Sequence, residues 1–348
     1  MIKNYKDYIK EEFDLKHFFK KDSHYLNSKT KKDDLNDVHS DVDPFNEEDW
    51  VIDNLSPLLQ IVRKKFGDVP YDEITELNCN DNQLTSLEGI ENLVKLDYLC
   101  CTSNQLTSLK GIENLVNLEK FYCDSNRLTS LDGIENLVNL EKFYFGGNRL
   151  TLLEGIENLV NLKYLLCSYN QLTSLESIEN LVNLKELSCY NNQLTSLKGT
   201  KNLVNLKELY CNYNQLTSLK GVENLVHLEE FYCDHNQLTT LEGLENLVSV
   251  KELDCSNNQL TSLKRVENLI NLKKLYCDFN QLTSLEGIKN LVKLEAFSCF
   301  RNQLTSLEGL ENLVNLKELY CYDNHFSEDY IKYLKNYCRN KNISLSIR

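Results

Sequence analysis

Residues 206–227 read LKELYCNYNQLTSLKGVENLVH, and close copies of this stretch fill most of the chain. The asparagine near its centre, Asn214, recurs every 22 residues in twelve successive registers. A fixed period of roughly 20 to 50 residues indicates an array of stacked structural repeats. The full series is Asn82, Asn104, Asn126, Asn148, Asn170, Asn192, Asn214, Asn236, Asn258, Asn280, Asn302 and Asn324.

Each copy combines two apolar spacings. Leu209, Tyr210 and Cys211 alternate inward, outward and inward, which predicts a short strand with one buried face. After Asn214 the apolar spacing lengthens toward three, which predicts a turn or a short helical segment. One copy buries about six aliphatic side chains at ~2 kcal/mol each, whereas ordering its residues costs on the order of 1 to 2 kcal/mol apiece. A single copy therefore cannot fold alone, and stability must come from stacking.

The motif LxxLxCxxNxLxxLxGIxNLxN resembles the leucine-rich repeat in its 22-residue class, typified by a nuclear regulatory subunit of protein phosphatase 1 and by bacterial internalins. The resemblance covers about residues 74 to 324. It implies an α/β repeat fold, a curved solenoid with a parallel sheet on the concave face and short helical turns on the convex face. The near-identical units and a bias typical of AT-rich genomes, with three Pro and one Met, also resemble leucine-rich repeat proteins of mimivirus-type giant viruses.

Two positions of the repeat, each forming a column of equivalent residues along the array, are predicted to stabilise the fold. The recurrent Asn can donate and accept, and we expect it to satisfy backbone groups where each strand turns away. Eleven of the thirteen cysteines lie three residues before that Asn, and Phe145 takes this place in the remaining unit. Because neighbouring strands lie about 5 Å apart, this column lines thiols up rather than converging them on a metal. We expect buried, reduced, metal-free cysteines, with Cys100 pointing outward as the most reactive thiol of the repeats.

A glycine follows the Asn by seven residues in most units, but Ser177 and Arg265 occupy the same place in theirs. Glycine can signal an obligatory positive φ. Since the position accepts side chains, we predict a simple turn or helix start there.

Solenoids expose apolar cross-sections and need caps at both ends. Ser56 and Pro57 open a helical pattern that stops at Gly67, and Ser327 precedes a second helical pattern followed by an alternating ISLSI. We predict a charged, partly flexible arm at 1–46, a helical N-terminal cap at 47–73, twelve repeats at 74–325 with the last one partial, and a cap helix with an edge strand at 326–348.

The N-terminal arm splits by charge. Residues 1–32 hold nine Lys and five acidic residues, and residues 33–53 hold nine acidic residues and no basic one. It can be a solvated arm, or a docking module with an apolar face of Tyr5, Ile9, Phe13, Phe18 and Phe19.

Composition narrows the function classes. With 41% apolar and 26% charged residues the chain is typical of soluble globular proteins. Its net charge of −14 repels phosphate backbones and anionic lipid, so we expect neither nucleic acid nor membrane as a partner. The charged opening segment lacks the apolar stretch of a signal peptide, which predicts a cytoplasmic protein, or one of the host cytoplasm if it is viral.

The sequence lacks the motifs of nucleotide, metallohydrolase, serine hydrolase or dinucleotide chemistry. Its six histidines are scattered without ligand spacing. We predict no enzymatic activity, no cofactor and no metal.

The outward strand positions vary between units, whereas the framework and the convex Glu-Asn pairs are copied. Tyrosines with interspersed Asp and Asn are typical of protein-binding faces, so we predict a protein or peptide partner on the concave face, contacted by exposed outward aromatics. The alternative is that β-propensity alone places these tyrosines on a solvated strand. The candidate partner-binding residues are Tyr122, Tyr144, Tyr190, Tyr210, Tyr232, Tyr276, Phe300, Tyr320 and Tyr322.

Two other functions stay open. The chain could be an adaptor whose N-terminal arm recruits a second factor, or a structural protein without a dedicated ligand.

Overall fold

The computed structural model describes residues 55–347. The predictions for the N-terminal arm, and for the part of the N-terminal cap before residue 55, lie outside the described residues.

The repeats form one parallel sheet in which each strand pairs with the next in chain order. Neighbouring strands are offset by one repeat, so that Glu208 pairs with Glu230 and Tyr210 with Tyr232. The leucine-rich repeat solenoid predicted from the motif is confirmed. The thirteen strands of the described chain are β1 Glu76–Asn78, β2 Tyr98–Cys100, β3 Lys120–Tyr122, β4 Lys142–Tyr144, β5 Tyr164–Leu166, β6 Glu186–Ser188, β7 Glu208–Tyr210, β8 Glu230–Tyr232, β9 Glu252–Asp254, β10 Lys274–Tyr276, β11 Ala296–Ser298, β12 Glu318–Tyr320 and β13 Ser344–Ser346.

The core is built from the repeated apolar columns. In the unit around Asn214, Leu209, Cys211, Leu216 and Leu219 are fully buried. The cysteines of the column are free thiols in the core, and Cys211 Sγ lies 3.4 Å from the carbonyl oxygen of Tyr232 on the next strand. The predicted burial of the cysteine column is confirmed.

The recurrent asparagines join successive units. The side-chain Nδ2 of Asn214 donates to the carbonyl oxygens of Cys211 at 3.0 Å and of Cys189 in the preceding unit at 3.1 Å. Its Oδ1 accepts from the backbone N–H of Leu194 at 2.9 Å. One amide thus satisfies backbone groups on both sides of a unit boundary, as the sequence predicts.

The glycine position is more constrained than the sequence indicates. Eight of the nine glycines in this column have positive φ, and that of Gly111 is 104°. The predicted helix start is present at glycines such as Gly111, which precedes the 3₁₀ helix Ile112–Asn114. The expectation that the position accepts any side chain is wrong in these units, because an L side chain rarely adopts this backbone conformation.

In the two units that have Ser177 or Arg265 in place of the glycine, the 3₁₀ helix starts at a different residue. Their 3₁₀ helices, Glu176–Ile178 and Lys264–Val266, include the glycine-equivalent residue instead of starting after it. The remaining 3₁₀ helices of the described chain are Tyr71–Glu73, Ile90–Asn92, Ile112–Asn114, Lys198–Thr200, Ile288–Asn290 and Leu310–Asn312.

Helices cover both ends of the array. Helix α1, Pro57–Phe66, begins after Ser56, whose Oγ accepts from the Leu59 N–H, and ends at Gly67. Helix α2, Glu328–Lys341, begins after Ser327, whose Oγ accepts from the Tyr330 N–H. Strand β13 then pairs with β12 at the edge of the sheet. Both helices begin after the predicted capping residues, Ser56 and Ser327, because N-capping is a local signal.

Candidate functional site

The concave face is defined by three side chains per unit, at the first and third residues of each strand and at the residue two positions beyond it. In the unit of β7 these are Glu208, Tyr210 and Asn212. Successive side chains of a strand point to opposite faces, so the three share the face opposite the buried Leu209 and Cys211.

At least seven of the nine predicted residues have rings packed against another ring. Tyr122 and Tyr144 meet edge to face at 4.8 Å between ring centroids. Tyr210 and Tyr232 stack at 5.1 Å. These separations fall in the range of favourable aromatic pairs. Other pairs include Tyr190 with Tyr169 at 5.0 Å and Phe300 with Tyr322 at 4.4 Å.

The aromatic residues are less exposed than the sequence predicts. Tyr232 is 6% exposed and Phe300 only 2%, and Tyr210 and Tyr276 are half-buried. Tyr320, at 36%, is the exposed one among the nine. The expectation of exposed outward rings is therefore wrong for Tyr232 and Phe300, which belong to the packed part of the structure.

Phenol groups tie the central strands together. The Tyr210 hydroxyl donates to carboxylate oxygens of Glu208 and Glu230, each at 3.0 Å. The Tyr232 hydroxyl donates to Glu252 at 2.6 Å. Burial, followed by the neighbouring carboxylates, raises the pKa of both tyrosines. Both therefore remain neutral hydrogen-bond donors at any physiological pH.

Polar residues two positions beyond the strands have a framework role. Asp124 Oδ1 accepts from the Gly146 N–H of the next unit at 2.9 Å, and Asp278 Oδ1 accepts from the Phe300 N–H at 3.0 Å. This column supplies acceptors to a backbone N–H of the following unit. Part of its polar character is structural and does not itself indicate a ligand.

The copied convex residues also serve the framework. Glu113 accepts from the Gly111 N–H at 2.8 Å, and Asn202 donates to the carbonyl of Glu179 in the preceding unit at 3.3 Å. These bonds give the convex Glu and Asn a structural reason to be repeated. The contrast between a varied concave face and a copied convex face therefore does not locate a binding site by itself.

Sequence reasoning missed the residue that directly precedes the recurrent Asn. This position has positive φ in every described unit from β1 to β12. It places Tyr169 and Tyr213 at 53% and 41% exposure, and Tyr213 stacks on His235 with 4.0 Å between ring centroids. The Tyr and Phe residues at a position that is Ser, Asn, Asp or Gly in most other units are a signal visible in the sequence.

Buried carboxyl groups lie on the concave face in the second half of the array, beside β8 to β10. Burial raises the pKa of Asp278 to about 8, and it also raises the pKa of Asp234 and Asp254. Asp234 Oδ2 lies 2.7 Å from His235 Nδ1.

Between residues 55 and 347, no group of His, Cys, Asp or Glu residues is arranged to bind a metal ion. Over the same residues no helix combines the length and apolar character needed to cross a bilayer.

The family model for leucine-rich repeats in two copies matches five consecutive segments of the chain: 72–114, 116–158, 160–202, 204–246 and 248–290. The chain therefore belongs to the leucine-rich repeat family. Domains of this family are generally non-enzymatic and are typically protein-binding modules. A search of curated proteins found no match.

Solved structures share the fold. The internalin inlF from Listeria monocytogenes is 24% identical with a TM-score of 0.69, over 83% of this chain and 94% of that one. The functional domain of the Listeria monocytogenes protein InlJ, which includes a cysteine ladder, is 30% identical with a TM-score of 0.69, over 80% of this chain and 60% of that one. The plant peptide hormone receptor RGFR1, solved in complex with RGF2, is 20% identical with a TM-score of 0.61, over 74% and 44%.

Proposed function

We propose that this chain is a non-enzymatic interaction module that binds a protein or peptide along its concave face. The observation that carries the proposal is the set of paired rings on that face, such as Tyr122 with Tyr144 and Phe300 with Tyr322. The framework hydrogen bonds of the repeat do not require aromatic side chains there. Rings supply large contact area at small entropic cost, which is the usual chemistry of protein recognition.

The similar solved structures also support a function in protein or peptide binding. The RGFR1 structure is a complex with RGF2 on a similar solenoid. That receptor is only 20% identical to this chain. The similarity therefore supports a shared fold and does not identify a ligand.

Site-specific photo-crosslinking tests whether the partner binds to the concave face. A photoreactive phenylalanine replaces Tyr320, which is 36% exposed on the concave face, and in a matched variant it replaces Val204, which is 43% exposed in the turn between β6 and β7. In extracts of the native cell we expect a specific partner to crosslink from position 320 and not from position 204. Crosslinking from position 204 alone would show that the binding site lies outside the concave face of the sheet.

The adaptor and structural alternatives give different results. An adaptor would retain one partner in a pull-down with residues 1–54 after the repeats are deleted. A structural protein without a ligand would give no specific crosslink from either position.

The cellular compartment remains part of the proposal. We propose a reducing cytoplasm, in which the buried thiols of the cysteine column stay reduced. A giant-virus source stays a prediction from composition and repeat similarity.

A further inference from the structure

The two ends of the sheet differ in how well their apolar sides are covered. Leu77 in β1 is fully buried, in one core cluster with the buried Leu58 and Val62 of α1. In β13, Leu345 pairs with the fully buried Leu319 of β12 and lies in the same inward column, but it is only half-buried. The apolar side of the last strand is therefore partly open, since no further repeat unit among the described residues packs against it.

The outer hydrogen-bonding edges of the first and last strands differ in the same way. At the first strand, Lys65 of α1 donates from Nζ to the carbonyl oxygen of Asn78 at 3.4 Å. A lysine at an edge strand hinders pairing with a further strand. Strand β13 pairs with β12 and with no other described strand, and residues 342–347 contain neither Pro nor a charged residue. This edge therefore lacks the charges and the proline that commonly protect an exposed strand.

The backbone groups of Leu345 point toward this outer edge. The Ser344 N–H donates to the carbonyl oxygen of Lys317 at 2.7 Å, and the carbonyl oxygen of Ser346 accepts from the Cys321 N–H at 2.9 Å. Both serines therefore direct their backbone groups to β12. Because a strand alternates the direction of its N–H and C=O groups from one residue to the next, those of Leu345 point the other way.

The sequence of this strand reads the same in both directions. Residues 343–347 are ISLSI, which is symmetric about Leu345. When a second copy pairs in antiparallel orientation with its Leu345 opposite the first, the two leucines can exchange two N–H···O bonds. Apolar residues then oppose apolar ones on the inward face, and hydroxyls oppose hydroxyls on the concave face, which are favourable cross-strand pairs. The other opposed pairs are Ile343 with Ile347 and Ser344 with Ser346.

The same pairing covers apolar side chains that one copy leaves partly exposed. Ile343, Leu345 and Ile347 pack against the core but are only half-buried. Antiparallel pairing places these three residues beside the same three residues of the second copy, so that each row shields the other from water. An interface in which one patch meets itself about a two-fold axis is isologous, which is the commonest arrangement in homodimers.

The charges of α2 fit this orientation. The first turn of the helix contains Glu328 and Asp329, and its last turn contains Arg339 and Lys341. A two-fold axis normal to the sheet makes the α2 helices of the two copies antiparallel, which brings the acidic end of one helix toward the basic end of the other. Opposite charges on the two sides of an interface favour this orientation over a parallel one.

We infer that β13 is the interface between two copies of this chain, which pair their last strands in antiparallel orientation about a two-fold axis at Leu345. The two sheets then form one continuous sheet, with both concave faces on the same side. A second copy is the occupant because the strand complements itself in length, in polarity and in the direction of its free backbone groups. The inference concerns assembly and does not depend on where a partner binds to the concave face.

Two cysteine variants of the full chain test the register of the pairing. Ser344 of one copy lies opposite Ser346 of the other as a non-hydrogen-bonded pair, with Cα atoms about 4.5 Å apart, a separation that a disulfide can bridge. Ser344→Cys and Ser346→Cys, carrying different affinity tags, are mixed and oxidised with diamide. We expect a disulfide-linked pair that contains both tags, and at least about tenfold less linked product from either variant alone or from the unaltered protein.

Sedimentation velocity measures association without a covalent link. At about 100 µM protein we expect particles of two 40.6 kDa chains. Leu345→Lys places two ammonium groups opposite each other at the axis and should raise the dissociation constant by about tenfold or more. Tyr71→Lys is the matched control, because Tyr71 is half-buried against the core near the first strand, and it should leave association unchanged. Circular dichroism melting confirms that each variant is folded.

Several outcomes would overturn the inference. They are a protein that stays monomeric at about 100 µM, equal association of Leu345→Lys and the unaltered protein, or disulfide formation by Ser346→Cys alone as efficient as in the mixture. A monomer whose β13 pairs with a strand of a different protein would also refute the dimer. If Leu345→Lys does not fold, the cysteine variants decide, because Ser344 is exposed and Ser346 is half-buried and neither substitution changes the apolar side of the strand.

Discussion

The side-chain Nδ2 of Asn192 donates to the carbonyl oxygen of Cys167, 25 residues earlier in the chain, at 3.1 Å. The same amide also donates to Cys189 at 3.0 Å, and its Oδ1 accepts from the Leu172 N–H at 2.9 Å. One side chain therefore holds two successive units in register.

Asn192→Ala should lower the free energy of unfolding by about 3 kcal/mol, because several buried backbone groups lose their partner at a cost of about 1 to 3 kcal/mol each, partly relieved by relaxation. Urea denaturation measures the change. The matched control is Asn205→Ala, which removes one exposed bond to Val182 and should cost less than about 1 kcal/mol. Equal effects of the two substitutions would contradict the ladder role.

Gly199→Ala should destabilise the protein by about 2 kcal/mol or more, because the added Cβ would collide with the carbonyl oxygen of Leu175. The equivalent residue one unit earlier is Ser177, and Ser177→Ala should change stability by less than about 0.5 kcal/mol. Thermal unfolding of both variants compares them. A tolerated alanine at position 199 would mean that the turn can shift freely.

Tyr232→Ser should cost about 2 to 4 kcal/mol of stability, since Tyr232 is 6% exposed and its ring packs on Tyr210. Tyr320→Ser, on the same face at 36% exposure, should cost much less. Urea midpoints of the two variants give the comparison. A negligible effect at Tyr232 would show that its ring is not part of the packed structure.

Asp278 should make stability depend on pH. Its pKa rises from 3.8 to about 8 in the folded protein through burial, so the folded state binds the proton more tightly than the unfolded state. Its stabilising contribution is fully present below about pH 4 and is lost as the pH rises toward 8. Relative to the unaltered protein, Asp278→Asn should therefore gain stability between about pH 5 and pH 9, on the order of a few kcal/mol.

Urea denaturation across this pH range measures whether the stability of Asp278→Asn, relative to the unaltered protein, increases with pH. The same substitution at Asp329, in the first turn of α2, controls for general charge effects. A difference between Asp278→Asn and the unaltered protein that stays constant with pH would refute the assignment.

Thiol titration tests the cysteine column. In denaturant without reductant we expect close to thirteen reactive thiols. In the native protein Cys100, which is half-buried, should react first, because burial raises the pKa of column cysteines such as Cys211. Cys100→Ser should abolish the fast phase. A denatured count near one or two, or stoichiometric zinc by elemental analysis, would contradict the prediction.

The sequence by itself determined the framework. The period of the Asn column, the alternation around Cys211 and the capping residues Ser56 and Ser327 are local or strictly repeated signals. Each follows from backbone hydrogen bonding and from the burial of one strand face, which are the same in every unit. Fold class, strand order and the capping residues of the two helices could therefore be predicted without coordinates.

Only the tertiary structure decided the properties that depend on the neighbouring unit. The 3₁₀ helix at Ser177 starts one residue before that position whereas the one at Gly111 starts after it, and the space for a side chain at Gly199 is limited by the carbonyl of Leu175 in the unit before it. The burial of Tyr232 and Phe300 depends on what lies beside them across the strands. The unpartnered oxygen of Asp278 emerges only after Ser298 and Phe300 have taken the other one. Packing and hydrogen-bond satisfaction are properties of pairs and groups of residues brought together by folding, so the pattern of a single repeat does not contain them.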